Sequence, residues 1–311
     1  LTLRGGIRRK GFSSCWGTTR GFWPMVLPFG LLPHLFPLPS AIFSYQVPAA
    51  GKCARMEHVM FHKIGIIGGS GLDNPQMFSH ARDVHFSTPW GEPSCPLREG
   101  EVEGVPVVLL ARHGREHTIP PSQVNYRANI HALRDAGCSC ILASTAVGSL
   151  REDIKRGDLV VPDQFIDFTK QRRMTFHESF TAGNPVHCAM PDPFDAALRA
   201  ALNEGLAELG YRRHERGTVV TIEGPRFSTR AESRMFRAWG ADIINMSIAT
   251  EAALANEAGV PYAVVAMSTD YDSWKDDEAP VTWDAIAAVA AENASKVLKL
   301  FRHVIPRLAF A

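Results

Sequence analysis

Residues 218–272, TVVTIEGPRFSTRAESRMFRAWGADIINMSIATEAALANEAGVPYAVVAMSTDYD, decide the fold. Val219, Val220 and Ile222 read as a buried strand, which Glu223-Gly224-Pro225 breaks. Phe227-Ser228 then leads into a helix with Ser228 or Thr229 as N-cap and Glu232 one turn later. Gly240 stops that helix. A second strand over residues 242–245 ends in Met246-Ser247, and a helix follows over residues 250–258. The third strand, residues 262–267, is apolar on both faces and runs into Ser268-Thr269-Asp270-Tyr271-Asp272. Apolar strands alternating with helices imply a mostly parallel sheet covered on both sides. Ligands of such sheets sit beyond the carboxyl ends of the strands. Three of those ends here carry Phe227-Ser228, Met246-Ser247 and Asp270-x-Asp272, which marks a candidate site.

Upstream, residues 63–67 form a short buried strand followed by Gly68-Gly69-Ser70-Gly71. A strand running into a glycine-rich turn exposes N–H groups to an anion, although a tight turn without a ligand fits as well. The Gly-x-x-Gly-Gly-x-Gly spacing is neither the dinucleotide fingerprint nor a Walker loop, which argues against an NAD-dependent oxidoreductase. Strands near residues 101–102 and 105–110 flank Glu103-Gly104, a hairpin turn. The second of them ends in Arg112, His113, Arg115 and His117, a cluster suited to phosphate or carboxylate or, more plainly, a solvated basic loop. A helix over residues 123–135 starts after Pro120-Pro121-Ser122 and closes at Gly137. The strand over residues 140–143 ends in Ser144-Thr145-Ala146-Val147-Gly148-Ser149, again offering small donors. Residues 157–162 and 164–168 are further strands. Residues 169–190 form a loop, over the site or simply on the surface, with His177 and His187 in reach of a pocket. Helices over residues 195–209 and 282–303 complete one α/β domain, residues 61–311.

Residues 1–60 do not share this pattern. Arg4, Arg8, Arg9 and Lys10 precede an apolar run, as in a signal peptide, but four prolines interrupt residues 22–38, and the run is too short to span a bilayer. The expectation is a disordered or non-native extension, the working protein beginning near Met56 or Met60. The net charge of +1 gives no bulk attraction to nucleic acid or an anionic membrane. The six cysteines Cys15, Cys53, Cys95, Cys138, Cys140 and Cys188 form no CxxC pair and no metal spacing, as for inert thiols in a reducing compartment, the cytoplasm.

The strand ends combine into one chemistry. Ser70, Arg112, His113, Thr145 and Ser247 supply donors and one fixed positive charge, a pocket for inorganic phosphate without a metal or cofactor. Phe227 and Met246 offer apolar faces to a purine, and Asp270 and Asp272 offer carboxyl groups. Adenine's N6 amino group is a donor and suits a carboxylate; a 6-oxopurine needs a donor instead. These groups permit phosphorolysis of an N-glycosidic bond through an oxocarbenium-like transition state. Asp270 protonates the departing base at N7, which requires that desolvation and Asp272 raise its pKa. The alternative for Asp270-x-Asp272 is a pair of exposed turn or cap residues.

GPRFS, WGADIINMS and STDYDSWK resemble the S-methyl-5′-thioadenosine phosphorylase branch of the purine nucleoside phosphorylase family, over residues 63 to about 300. The resemblance implies that Ser70, Arg112, His113, Thr145, Ala146 and Ser247 bind phosphate and that Phe227, Met246, Asp270 and Asp272 hold the nucleoside. Relatives often have threonine at positions 70 and 247. The 6-oxopurine branch has glutamate after the phenylalanine of its GP-x-F and an asparagine near the base; Ser228 and Asp270 here match the 6-amino, methylthio branch. Trp283 and Ile286 match positions that shape the 5′-methylthio pocket, and relatives often carry a smaller aliphatic residue where Trp283 stands, which bears on strictness for the 5′ group. The resemblance implies a purine nucleoside phosphorylase-like fold, a homotrimer or dimer of trimers whose sites borrow residues from a neighbouring subunit, and a role in purine and methionine salvage. The other readings are a phosphorylase of 6-oxopurine nucleosides or methylthioinosine, against which Asp270 argues, and a non-catalytic nucleoside-binding protein.

Overall fold

Strands that are apolar on both faces build the centre of the fold. β1 (Ile64–Gly68) pairs in parallel with β4 (Val105–Ala111) and β5 (Cys140–Ser149), and β5 pairs in parallel with β11 (Tyr262–Asp270). Val264 and Val265 face opposite sides of β11 and both are fully buried, so both faces need covering. Val264 packs in a core with α1 (Tyr126–Asp135) and α4 (Ile248–Glu257). Val265 packs in a second core with α2 (Ala196–Glu208) and α5 (Trp283–Phe310). Each such side chain contributes roughly 1.5–3 kcal/mol by burial. Residues 60–69, 78–277 and 282–310 are described by the structure, a computed structural model, and all fall in the compact unit Ala54–Ala311.

The remaining strands are β2 (Ser79–Val84), β3 (Leu97–Val102), β6 (Leu159–Val160), β7 (Gln164–Phe168), β8 (Arg213–His214), β9 (Thr218–Ile222) and β10 (Ile243–Asn245). The order is β2-β3-β4-β1-β5-β10-β9-β7, with β11 also on β5 and continuing to β6 and β8. Pairing is antiparallel at β2–β3–β4, β5–β10 and β6–β11 and parallel elsewhere. This is the mixed, mostly parallel α/β sheet that residues 218–272 imply. Val220, Ile222, Ile244 and Phe236 of α3 (Arg230–Ala238) form a third, smaller core.

Local chemistry sets the element ends. Thr229 caps α3, and the Glu232 carboxylate accepts the Thr229 N–H at 2.7 Å, completing the capping box. Glu103 (φ 49°) and Gly104 (φ 81°) supply the two positive φ values of a tight hairpin. Several boundaries differ from expectation. α1 begins at Tyr126 rather than residue 123, because the Asn125 side chain accepts the Ala128 N–H and caps it there. β5 does not stop at Ala143; its hydroxyl and glycine residues are buried beside β11, and that context overrides their composition. β6 keeps only two residues of the expected 157–162. α4 starts two residues early with Ser247 at its N-cap, and α5 passes through Pro306 to Phe310 instead of ending at 303. The expectation for an N-terminal extension falls outside the described residues apart from Met60. Among the described residues, no helix is long and apolar enough to cross a membrane.

Candidate active site

The sheet opens along one edge of β5. β1 pairs with that edge as far as Ala143, and β10 joins it only at Gly148 and Ser149. Among the described residues, no strand pairs it between Ser144 and Val147. A cleft of about 580 Å³ lies at this gap. It gathers the ends of β4, β5, β9, β10 and β11 together with Gly69 and Ile286. This is the switch-point geometry at which open α/β sheets bind ligands.

One cluster of polar groups adjoins Ser144 and Thr145. Arg112 is 1% exposed. Its Nε and Nη2 donate to Glu251 at 2.5 and 2.9 Å, and its Nη1 donates to the Ser144 carbonyl at 2.9 Å. Tyr262 donates to the same Glu251 carboxylate at 2.8 Å. The fixed Arg112 charge is therefore balanced within the fold by Glu251, a partner the sequence did not announce. Three of its five N–H groups are engaged, which leaves two for a ligand. A Cβ at Gly69 would meet Arg112 Nη1 and the Ser144 carbonyl at 2.9 Å each, so only glycine lets the chain pass here. Asn245 Nδ2 lies 3.4 Å from Thr145 Oγ1 and 3.3 Å from Ser247 Oγ, holding both hydroxyls at the cleft. Thr221 orients that asparagine by donating to its Oδ1 at 2.8 Å.

His113 differs from its expected role. Its Nδ1 lies 2.8 Å from the Ile119 carbonyl, which only accepts, so Nδ1 carries the hydrogen. Burial and the Arg112 guanidinium push the imidazole pKa down to about 4. The neutral ring then presents Nε2 as an acceptor, not as the donor the sequence suggested.

A second cluster adjoins Val147 and Gly148. Asp270 Oδ1 accepts from Thr269 Oγ1 at 2.7 Å, and its Oδ2 accepts the Asp272 N–H at 3.0 Å. Ser228 Oγ donates to Asp272 Oδ2 at 2.5 Å. Burial raises the pKa of both carboxyls despite these donors. The β11 register shifts between Ser268 and Asp270, opposite Val147 and Gly148, so Thr269 is an extra residue in a bulge. Bulges re-aim side chains beside functional sites, and here Asp270 comes to lie over Gly148. A Cβ at Gly148 would sit 3.0 Å from Asp270 Oδ2. Three residues of strand separate Thr145 from Gly148, roughly 10 Å, the length of a small nucleoside with an anion at one end.

Arg112, His113, Thr145, Ala146, Ser247, Phe227, Ser228, Met246, Asp270, Asp272 and Ile286 all line the cleft. Asp270 and Asp272 are thus not exposed turn residues. Ser70 and the Trp283 side chain lie outside what the structure describes. Arg115 turns away to Asp83, at 2.6 Å. His177 and His187 are not among the lining residues, and His187 packs on Phe180 instead. Sequence reasoning missed Glu251, Asn245 and Thr269. A signal for Glu251 existed, a single acid among Ile248, Ala249, Ala252 and Ala253 on a helix otherwise apolar around it.

Residues 63–306 match the phosphorylase superfamily. The S-methyl-5′-thioadenosine phosphorylase of Danio rerio is 51% identical over 248 residues, 79% of this chain and 89% of that protein. That of Hyperthermus butylicus is 52% identical over 246 residues, 79% and 88% of the two chains. The solved structure of methylthioadenosine phosphorylase from Schistosoma mansoni in complex with adenine superposes with a TM-score of 0.76 at 40% identity, covering 80% of this chain and 92% of that one. A mutant of adenosine/methylthioadenosine phosphorylase from the same organism, in complex with methylthioadenosine, gives 0.75 at 39%, covering 80% and 92%. With about half its matched residues shared with the Danio rerio and Hyperthermus butylicus enzymes and about 40% with the solved Schistosoma mansoni structures, the chain belongs to the S-methyl-5′-thioadenosine phosphorylase family of the phosphorylase superfamily.

Proposed function

We propose that the cleft catalyses phosphorolysis of S-methyl-5′-thioadenosine to adenine and 5-methylthioribose 1-phosphate, with inorganic phosphate as co-substrate and no metal. The observation that carries the reading is the Asp270–Asp272 pair, joined by the Asp272 N–H to Asp270 Oδ2 bond with Ser228 donating to Asp272, in one cleft with Arg112, Thr145 and Ser247, Asp270 pairing opposite Gly148 roughly 10 Å along β5 from Thr145. Phosphate takes the two remaining Arg112 N–H groups, the Thr145 and Ser247 hydroxyls and the backbone at Ala146. His113 Nε2 accepts a hydrogen bond from the hydroxyl of monohydrogen phosphate. The purine lies on Phe227 and Met246. A phosphate oxygen bonds to C1′ as the C1′–N9 bond breaks and its electron pair passes to the base. Asp270 holds its proton for N7, and a positioned acid of this kind is worth on the order of 10²–10⁴ in rate. The Asp272 carboxylate, oriented by Ser228, accepts from the N6 amino group. Ile286, near the start of α5, borders the 5′ substituent.

The test is release of free base from methylthioadenosine, adenosine, methylthioinosine and inosine, with and without phosphate and with and without EDTA. The expected result is phosphate-dependent adenine release, fastest from methylthioadenosine and indifferent to EDTA. Preference for the inosine pair moves the chain to 6-oxopurines and overturns the reading of Asp270 and Asp272. A homotrimeric assembly in the cytoplasm belongs to the same proposal; sedimentation and cell fractionation test it.

A further inference from the structure

Thr269 is the extra residue of the β11 bulge, and it is buried at 3% exposure. Its single hydroxyl hydrogen has two acceptors in reach, Asp270 Oδ1 at 2.7 Å and the Val147 carbonyl at 3.2 Å. We propose that Thr269 is a positioning residue that serves the Asp270 carboxyl in both of its protonation states, by turning one O–H bond between Val147 and Asp270. The inference rests on the reading of Asp270 as the acid. While Asp270 holds its one proton on the carboxyl oxygen that faces N7, the Thr269 O–H turns to the Val147 carbonyl. When the proton has left a carboxyl oxygen for N7 of the base, Thr269 donates to the new carboxylate. No heavy atom moves, and the bulge supplies the geometry, because a regular strand would aim residue 269 at the opposite face from 270.

The charged and titratable groups around Asp270 are few. Asp272 faces it from the 3-10 turn after β11, and Arg156 acts on it from the segment between β5 and β6. Val147 and Gly148 of β5 and Ile244 of β10 bring no charge. Burial favours the neutral carboxyl, and the Thr269 hydroxyl is the foremost group favouring the ionised one. Removing the hydroxyl therefore makes Asp270 a weaker acid that keeps its proton to higher pH.

The experiment compares Thr269→Val, Thr269→Ser and Asp270→Asn in kcat–pH profiles with methylthioadenosine at saturating phosphate, alongside phosphate KM and Tm. Thr269→Val is expected to lower kcat on the order of tenfold and to move the alkaline limb up by about one pH unit, the effect of one hydrogen bond to a charged group. Phosphate KM stays within about twofold and Thr269→Ser within about threefold of wild type, because serine keeps the hydroxyl. A Thr269→Val enzyme with the wild-type limb and kcat overturns the proposal. So does an equal loss in valine and serine variants with no movement of the limb, which indicates packing alone. If Asp270→Asn keeps the wild-type rate, the acid reading itself fails and takes this inference with it. If Asp270→Asn is inactive while Thr269→Val is unchanged, only the role of Thr269 falls.

Discussion

Replacing Glu251 by glutamine should separate stability from anion binding. Arg112 and Glu251 are each 1% exposed and joined by two hydrogen bonds. A guanidinium stays protonated at any working pH, so Glu251→Gln leaves a buried cation facing a neutral amide. Coulomb attraction at about 4 Å is worth on the order of 4 kcal/mol at an effective dielectric constant of about 20. Loss of one partner from buried pairs costs about 3–5 kcal/mol. Both routes place the destabilisation near 4 kcal/mol, read by equilibrium urea unfolding at pH 7.5. Phosphate should offset part of it. In the wild-type protein Glu251 neutralises Arg112, whereas in the variant a bound dianion becomes the guanidinium's strongest partner, so added phosphate should raise the variant's stability more than that of wild type. Replacing the whole pair, Arg112→Met with Glu251→Met, removes both charges and should come within about 2 kcal/mol of wild-type stability while losing phosphate-dependent activity. A Glu251→Gln protein within about 1 kcal/mol of wild type, without extra stabilisation by phosphate, would refute the charge balance between Arg112 and Glu251.

Asp270→Asn should raise stability at neutral pH while impairing adenine release. Burial lifts the folded-state pKa above its ordinary 3.8, so between the two values the folded chain binds more protons than the unfolded one and stability falls as pH rises. Asparagine cannot ionise, so its advantage in Tm should be present at pH 8 and vanish below pH 3.8; a pH-independent difference would contradict this. Asp272→Asn should shift base preference toward 6-oxopurines in the four-substrate assay, because its amide donates where the Asp272 carboxylate accepts from N6. Gly224→Ala should cost roughly 1–3 kcal/mol and slow turnover, since φ is +68° and the new Cβ would meet Met246 Sδ at 2.5 Å; an unfolding midpoint equal to wild type would refute it. Thr229→Ala removes a capping box and should cost about 1 kcal/mol by the same unfolding measurement.

What was legible in the sequence was local. The Thr229–Glu232 cap, the Glu103-Gly104 turn and the polar residues following apolar strands all depend on near neighbours; the cap and the turn are found where the pattern places them, and Arg112, His113, Thr145, Ser247, Asp270 and Asp272 line one cleft. What was illegible depended on distant partners. Glu251 lies 139 residues from Arg112, and nothing beside Arg112 in the chain announces that its charge is balanced. The His113 tautomer is fixed by the carbonyl of Ile119, a backbone group that carries no sequence signal. Arg115 shares its motif with Arg112 yet leaves for Asp83 on β2, two strands away from β4. The run after Ala143 looked like a loop because serine, threonine and glycine are poor strand formers; β11 along one edge makes it strand and leaves the other edge open.

That open edge explains why the two ends of the cleft are built so differently. At Thr145 the donors are hydroxyls and a guanidinium already neutralised by Glu251, which in the proposed function would hold phosphate without trapping it through an uncompensated charge. At Gly148 the groups are carboxyls whose pKa burial raises, Asp272 buried and Asp270 partly so, which in the proposed function would hold a proton. Thr145 lies on β5 and Asp270 pairs opposite Gly148 of the same strand, so in the proposed function strand pitch sets the separation of these two groups. The β11 bulge then sets the one remaining variable, the direction of Asp270, at the cost of an extra residue. Thr269 fills that position and meets the carboxyl it re-aims. A regular strand would keep the distance between the two ends and lose the aim, which is why the bulge, more than any single polar side chain, joins this sheet to its chemistry.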